Sequence, residues 1–350
     1  MNLKALGYHE YLKSIESTHN PDSEYTLARV VTEHKDRYVV MTETGLLEAE
    51  VIGKLRYAAT SRADFPAVGD WVDLLIYDDS AIIFNVLPRK SVIERPAVGS
   101  HGEKQIIAAN VDVALIVQAV DRDFNLNRIE RYLAIIKTTD ADPVVVLSKT
   151  DLVSAVELDA LIKAIHDRLP SVKVVAISNT TPDGIAQLTG LFREGVTYCL
   201  LGSSGVGKSS LINNLTGKKN MHTQQLSEST QKGLHTTTHR ELMVIPGGGI
   251  LIDNPGMREV GTLSSDEGLV SAFETISAYQ GNCKFKDCTH TSEPGCAVIE
   301  AVEKGEVSQE AYANYLKMER ERSHFEATEA ERRRKGKELS KLVKRMKKKG

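Results

Sequence analysis

Apolar positions recur in different rhythms along the chain. Over residues 1–20, Leu3, Leu6, Tyr8, Tyr11, Leu12 and Ile15 suit one face of a short helix, which Asn20-Pro21 stops because proline pushes the residue before it out of helical geometry. From Tyr25 to about Glu94 short β-rich runs follow: TLARVV, RYVVMT, LLEAEVIG, DWVDLLIY and AIIFNVL, separated by turn-like HKD, ETG, VGD and DDS. Five short strands at that spacing predict a small antiparallel barrel of the oligonucleotide-binding kind.

After Arg95-Pro96 the rhythm changes. VDVALIVQAV (111–120), PVVVLS (143–148), VKVVAIS (172–178), VTYCLLG (196–202) and GILID (249–253) are near-continuous apolar runs, as expected of strands buried on both faces. Ile129, Tyr132, Leu133 and Ile136 recur at helical spacing between them, and VELDALIKAIHDRL repeats the theme. Alternating strands and helices predict a mostly parallel α/β sheet with crossover helices. Residues 265–330 read as helical around a Cys/His loop.

Gly202-Ser203-Ser204-Gly205-Val206-Gly207-Lys208-Ser209-Ser210 lies between the apolar strand and a helix-like SLINNLTG, the context a phosphate-binding loop requires. Glycines let successive N–H groups turn inward around a triphosphate, and the helix dipole favours negative charge there. Lys208 is expected to reach the β- and γ-phosphates, and the Ser209 hydroxyl to ligate Mg²⁺. Asp253-Asn254-Pro255-Gly256 closes a strand 45 residues after Lys208. There Asp253 can hold Mg²⁺ through water, and the Gly256 N–H can reach the γ-phosphate.

Ser148-Lys149-Thr150-Asp151 turns the reading from any nucleotide to guanine. The Asp151 carboxylate can accept from both N1–H and the 2-amino group, a donor pair adenine lacks, while the Lys149 stem covers one face of the base. Ser178-Asn179 ends the next strand, where a backbone amide can read O6. Both base-reading elements precede the phosphate loop, so the order is circularly permuted relative to ordinary small GTPases. A sheet of the same strands tolerates this if its crossovers stay right-handed.

These motifs, together with the barrel, His235 to Thr238 (HTTT) and Cys283, Cys288, His290 and Cys296, resemble the ribosome small-subunit-dependent GTPase A family of bacteria, also called the YjeQ/YloQ GTPases. The resemblance covers nearly the whole chain. It implies GTP hydrolysis to GDP and phosphate, stimulated by the small ribosomal subunit, and a role in late maturation of that subunit. Ser148 departs from the pattern, which usually carries Asn, and its shorter side chain is expected to bridge base loop and phosphate loop less well. The expected fold class is multidomain: an N-terminal OB-like β-barrel (21–95) after a helical extension (1–20), a central α/β P-loop GTPase domain in permuted order (96–262), a mainly helical zinc-binding domain (263–330) and a basic tail (331–350).

The polar segment QLSESTQKGLHTTTHREL is expected to order around γ-phosphate and Mg²⁺, with one of Thr236, Thr237 and Thr238, Thr237 by preference, supplying a second Mg²⁺ hydroxyl. Met257 follows Gly256 and cannot orient a water, so unaided turnover should be slow. His235 is the candidate to complete the site, with His239 a weaker competitor. Cys283-x4-Cys288-x-His290-x5-Cys296 supplies three thiolates and an imidazole, enough for a closed, structural Zn²⁺ site.

Composition then sets limits. Of 350 residues 41% are hydrophobic and 26% charged, ordinary for a soluble globular chain and against bulk disorder. Three of four cysteines cluster beside His290, against a disulfide framework. No apolar run approaches the roughly 20 residues of a membrane span and no secretory layout opens the chain, so the expectation is a cytoplasmic protein without membrane contact, and no dimer seam argues against a monomer. The net charge of −3 is uneven: residues 332–349 hold eleven Lys/Arg and one Glu, leaving 33 basic and 46 acidic residues elsewhere, a net of −13. With Lys284, Lys286, Arg320 and Arg322, that tail fits contact with rRNA phosphates of the small subunit. Two rivals stand beside this reading. One is an ATP-dependent RNA enzyme, against which Asp151 argues; the other is a nucleotide-gated RNA-binding assembly module whose hydrolysis is not essential.

Overall fold

The computed structural model describes residues 3–14, 24–34, 37–78, 80–96, 104–217, 240–254 and 266–347. The N-terminal helix starts later than its apolar pattern. Leu3–Gly7 form turns, and among the described residues α1 starts at Tyr8 and covers Tyr8–Ser14. Gly7 explains the break: it holds φ at 84°, and a Cβ there would meet the Gly195 carbonyl oxygen at 2.6 Å. The turn buries Leu6 and Tyr11 with Trp71, whose ring lies 5.7 Å from that of Tyr11.

Strands β1 (Thr26–His34), β2 (Arg37–Met41) and β3 (Leu46–Val51), helix α2 (Gly53–Ala58), then β4 (Trp71–Tyr77) and β5 (Ser80–Val86) form the barrel. The strand order is β1-β2-β3-β5-β4, closed by pairing of β4 back onto β1. Pairings are antiparallel except β3 with β5, which run parallel. Alternate residues Ala28, Val30, Val40, Ala49, Val72, Leu74 and Ile83 fill its interior. Arg29 points the other way and is buried. Its guanidinium donates to the carbonyls of Leu6 and Gly69 and to Thr197 Oγ1 and faces the Trp71 ring at 5.3 Å, so one side chain joins the N-terminal turn, the barrel and the next sheet.

A hairpin of β6 (Val92–Pro96) and β7 (Lys104–Ala109) leads into the second sheet. There β8 (Val113–Ala119), α3 (Leu126–Ile136), β9 (Asp142–Ser148), α4 (Ala155–Arg168), β10 (Lys173–Ala176), α5 (Pro182–Thr189), β11 (Thr197–Leu201), α6 (Lys208–Thr216), β12 (Glu241–Val244) and β13 (Ile250–Asp253) follow in the chain. The spatial order is β10-β9-β8-β11-β13-β12, parallel except for β12. All five expected apolar strands are present. The pattern did not show β6, β7 or β12. Thr32 of β1 pairs with Glu241 of β12, making barrel and α/β sheet hydrogen-bond neighbours.

Helices α7 (Asp266–Ala272), α8 (Glu274–Gln280), α9 (Ala297–Glu303) and α10 (Gln309–Lys347) complete the chain. Leu269, Phe273, Ile276, Val298, Tyr315 and Met318 share one core with Ile129, Leu133 and Ile136 of α3. A buried polar knot fastens this junction. Arg168 of α4 donates to both Glu130 oxygens at 2.8 and 2.6 Å, and Asn314 of α10 donates to Glu130 at 2.6 Å. Burial pushes the Glu130 carboxyl up to about 7, with Arg168 and Asn314 pulling it back.

Arg168→Ala would leave that carboxylate unpaired, at a cost of about 3–5 kcal/mol in a urea-unfolding assay at pH 8. Without Arg168 the folded-state value rises further above the ordinary one, so the folded variant binds the extra proton and its stability falls as pH rises through this window. The deficit should therefore be smaller at pH 6 than at pH 8; an equal deficit at both would mean Glu130 is not the group left exposed.

Candidate functional site

Strands β8 and β11 lie side by side, but the chain leaves β8 toward β9 and leaves β11 toward β13. Such a reversal opens a crevice at the carboxyl ends of parallel strands. The phosphate loop occupies it. Gly202 leaves β11 with φ of 147°, where a Cβ would overlap the Val117 carbonyl oxygen, and Gly207 starts α6 with φ of 94°. Lys208 Nζ donates to the Gly202 and Ser203 carbonyls, both at 2.6 Å, which holds the ammonium inside the loop. Tyr132 of α3 is hydrogen-bonded to Ser203.

Asp253 ends β13, the neighbour of β11, and is buried. Burial pushes its carboxyl up to about 6, with Lys208 drawing it back. A buried acid in that state suits a hard cation that offsets its desolvation. Asn254 beside it donates to Cys199 Sγ at 3.0 Å, tying the turn to β11.

Ser148 to Asp151 and Ser178-Asn179 reach the same loop from the ends of β9 and β10. Ser148 Oγ donates to the Val206 carbonyl at 2.6 Å, so the serine bridges the two loops directly despite its short reach. Asn179 Nδ2 adds a second tie to the Gly207 carbonyl at 3.2 Å. Ser178 Oγ donates to Asp151 Oδ1 at 2.5 Å, and the Thr150 N–H donates to the Ile177 carbonyl at 3.2 Å. Lys149 takes a left-handed φ of 60° and pairs with Asp121 Oδ2 at 2.8 Å. Asp121 was not singled out from the sequence. Its signal was its place one residue past the buried run 111–120, at the end of a strand bordering the crevice.

Beyond the sheet, Cys283, Cys288, His290 and Cys296 bring their ligand atoms within 4.8 Å of one another. His290 Nδ1 lies 3.5 Å from Cys283 Sγ and 3.4 Å from Cys296 Sγ, and those two sulfurs are 3.9 Å apart. A tetrahedral ion with thiolate bonds of about 2.3 Å and an imidazole bond of about 2.0 Å needs edges of about 3.8 and 3.5 Å, so the group can hold a metal. The loop is shaped for it. His290 adopts φ of 57°, and Glu293 accepts from the N–H groups of Thr289, Thr291 and Ser292.

The structure thus brings together the phosphate loop, Asp253, Ser148 to Asp151, Ser178 and Asn179, and separately the Cys/His set. His235, Thr237 and Gly256, together with Met257, lie outside the described residues.

Fold and site together define a phosphate-loop GTPase whose base-reading elements precede its phosphate loop in the chain. The "RsgA GTPase" family model matches residues 86–263. A relative from Opitutus terrae described as "Small ribosomal subunit biogenesis GTPase RsgA" is 41% identical over 93% of this chain and 90% of its own length. One from Lactiplantibacillus plantarum, described as "Small ribosomal subunit biogenesis GTPase RsgA 2", is 44% identical over 85% of this chain and 84% of its own. Among solved structures, YjeQ from Thermotoga maritima superposes with a TM-score of 0.63 at 29% identity, covering 85% of this chain and 98% of its own. YloQ, described as a circularly permuted GTPase, gives 0.62 at 23% identity over 88% of this chain and 98% of its own, a likeness of fold. The chain belongs to the RsgA GTPase family, and its activity is GTP hydrolysis.

Proposed function

We propose that this chain acts in late maturation of the small ribosomal subunit, binding the subunit and its rRNA and hydrolysing GTP when bound there. The observation that carries the reading is that Ser148 and Asn179 are tied to the loop holding Lys208, with Ser178 bonded to Asp151 beside them, in a protein whose relatives are described as small-subunit biogenesis GTPases. Asp151 reads the guanine N1 and 2-amino hydrogens, Lys149 covers the base, and the amides of Ser178 and Asn179 face O6. The loop from Gly202 to Ser210 wraps the phosphates, and Lys208 exchanges its carbonyl partners for β- and γ-phosphate oxygens.

Magnesium, bound with GTP, supplies charge neutralisation at the β- and γ-phosphates; Ser209, Thr237 and, through water, Asp253 would hold it. Gly256 donates its N–H to the γ-phosphate. Zinc is the metal of the Cys/His group: three thiolates and an imidazole form a closed set of soft donors with no open position, a structural site. Lys284, Lys286 and Arg320, with the basic tail of the sequence, meet rRNA phosphates, whereas Arg322 is taken up by Asp266, Glu319 and Glu326. The protein works as a cytoplasmic monomer without membrane contact. Among the described residues no helix is long and apolar enough to cross a membrane.

GTP turnover measured with and without purified small subunits tests the reading; stimulation by small subunits and not by large ones is the expected result. His235→Ala should keep GTP affinity and lose stimulated turnover by on the order of 100-fold, as expected for removing a group that orients the attacking water. Unchanged stimulated turnover would assign that water to another residue.

A further inference from the structure

Helix α2 joins β3 to β4 on the barrel and buries none of its residues. Leu55 alone leans on the barrel interior. Tyr57 is 93% exposed, the most exposed large apolar side chain among the described residues. A lone exposed ring is ordinary by itself, but an aromatic gains much from burial, and here it stands among cations. Lys54, one turn before Tyr57, shares its helix face, and Arg56 and Arg62 flank it. Lys54 and Arg56 form no ion pair among the described residues; Arg62 reaches Glu33 only at 3.6 Å.

The segment is held firmly although it is exposed. The Ile52 N–H donates to the Ile83 carbonyl at 3.0 Å. Asp64 Oδ2 accepts from the N–H groups of Thr60 and Ser61, both at 2.8 Å, and Arg89 donates to the Ala63 and Phe65 carbonyls while chelating Asp70. Little conformational entropy is therefore left to lose when Tyr57 meets a partner. The β3 face of the same barrel has the opposite charge. Glu48 and Glu50 are exposed there and share the one cation Arg37 at 4.0 and 3.6 Å. A polyanion approaching the barrel is repelled at β3 and attracted at α2.

Resting on the proposed ribosomal role, we propose that α2 is a stacking platform for an unpaired base of small-subunit rRNA. Tyr57 stacks on the base, and Lys54, Arg56 and Arg62 hold the flanking phosphates. Every base has a π-face, so an aromatic ring set among cations suits single-stranded RNA, whereas a protein partner of this site would have to supply carboxylates instead.

The test uses the full chain and purified small subunits. Tyr57→Ala should weaken subunit binding about tenfold, the loss of one stacked base, while Tyr57→Phe keeps it because the ring and not the hydroxyl stacks. Both variants should hydrolyse GTP without subunits at the wild-type rate, which reports an intact fold. Lys54→Gln with Arg56→Gln should reduce the salt slope of binding by about 1–2. Ultraviolet crosslinking of the wild-type complex should leave a ribonucleotide on the tryptic peptide 57–62. Wild-type affinity in Tyr57→Ala overturns the platform, and so does a crosslink from that peptide to a ribosomal protein with none to RNA. A wild-type chain that small subunits neither bind nor stimulate overturns instead the function on which the platform rests.

Discussion

Asp151→Asn should lower GTP affinity by on the order of 100-fold and make xanthosine triphosphate the better ligand. The Asp151 carboxylate accepts the Ser178 hydroxyl on Oδ1, which holds the group facing the end of β10. A carboxylate has lone pairs to spare for the two guanine donors. In the amide, the Ser178 hydroxyl still needs an acceptor and selects the carbonyl oxygen, so the NH₂ turns to the base. It then confronts the guanine 2-amino group, donor against donor. Losing charged hydrogen bonds and gaining that repulsion costs about 3 kcal/mol, hence the two decades. Xanthine carries a carbonyl at the same carbon and accepts what guanine opposes. Labelled-nucleotide competition measures both affinities, with ATP as the control that should compete poorly with either protein. Unchanged GTP affinity in the variant would mean that the base does not sit at the end of β9.

The permuted order was legible because each motif is local. A phosphate loop lies between one strand and one helix, and Ser148 to Asp151 follow a single buried run. The contacts that join these motifs were not legible. Ser148 meets Val206 across 58 residues of chain, and no local pattern says that a serine will reach the loop an asparagine usually spans. The barrel strands showed through because one face of each is solvated and the alternation survives. The hairpin of β6 and β7 did not, because Arg95-Pro96 reads as a boundary while the strand runs through it. Strand β12 is four residues long at the edge of a polar stretch, too short for a period to declare itself. Helix α1 lost its first turn to Gly7, whose left-handed backbone is imposed by its closeness to Gly195, a contact the sequence does not encode locally.

Removing the metal should separate the two halves of the protein's work. Cys296 is buried in the core shared with α3 and is the residue from which α9 starts, and the Tyr312 hydroxyl of α10 donates to the His290 carbonyl at 2.5 Å. The metal loop therefore stands between the α/β sheet and the helix that carries the basic tail. A structural zinc contributes about 10 kcal/mol or more of apparent binding energy to such a loop, comparable with the whole stability of an ordinary domain. Cys288→Ser, or a chelator applied to the wild-type chain, should abolish zinc content, speed amide exchange over residues 283–296 and α9, and weaken subunit binding far more than GTP binding. GTP should still bind because the residues proposed to hold it sit at and beyond the ends of β9, β10, β11 and β13, and none of the four Cys/His residues lies on those strands. Purified protein with no zinc, or a chelated protein with unchanged exchange in that loop, would refute the assignment. Equal losses of GTP and subunit affinity would show instead that the helical core under α3 and the nucleotide crevice fold as one unit. The Glu130 knot then becomes the element that couples them, since it joins α3 and α4 to α10 on the far side of the sheet strands that carry the phosphate loop and Asp151.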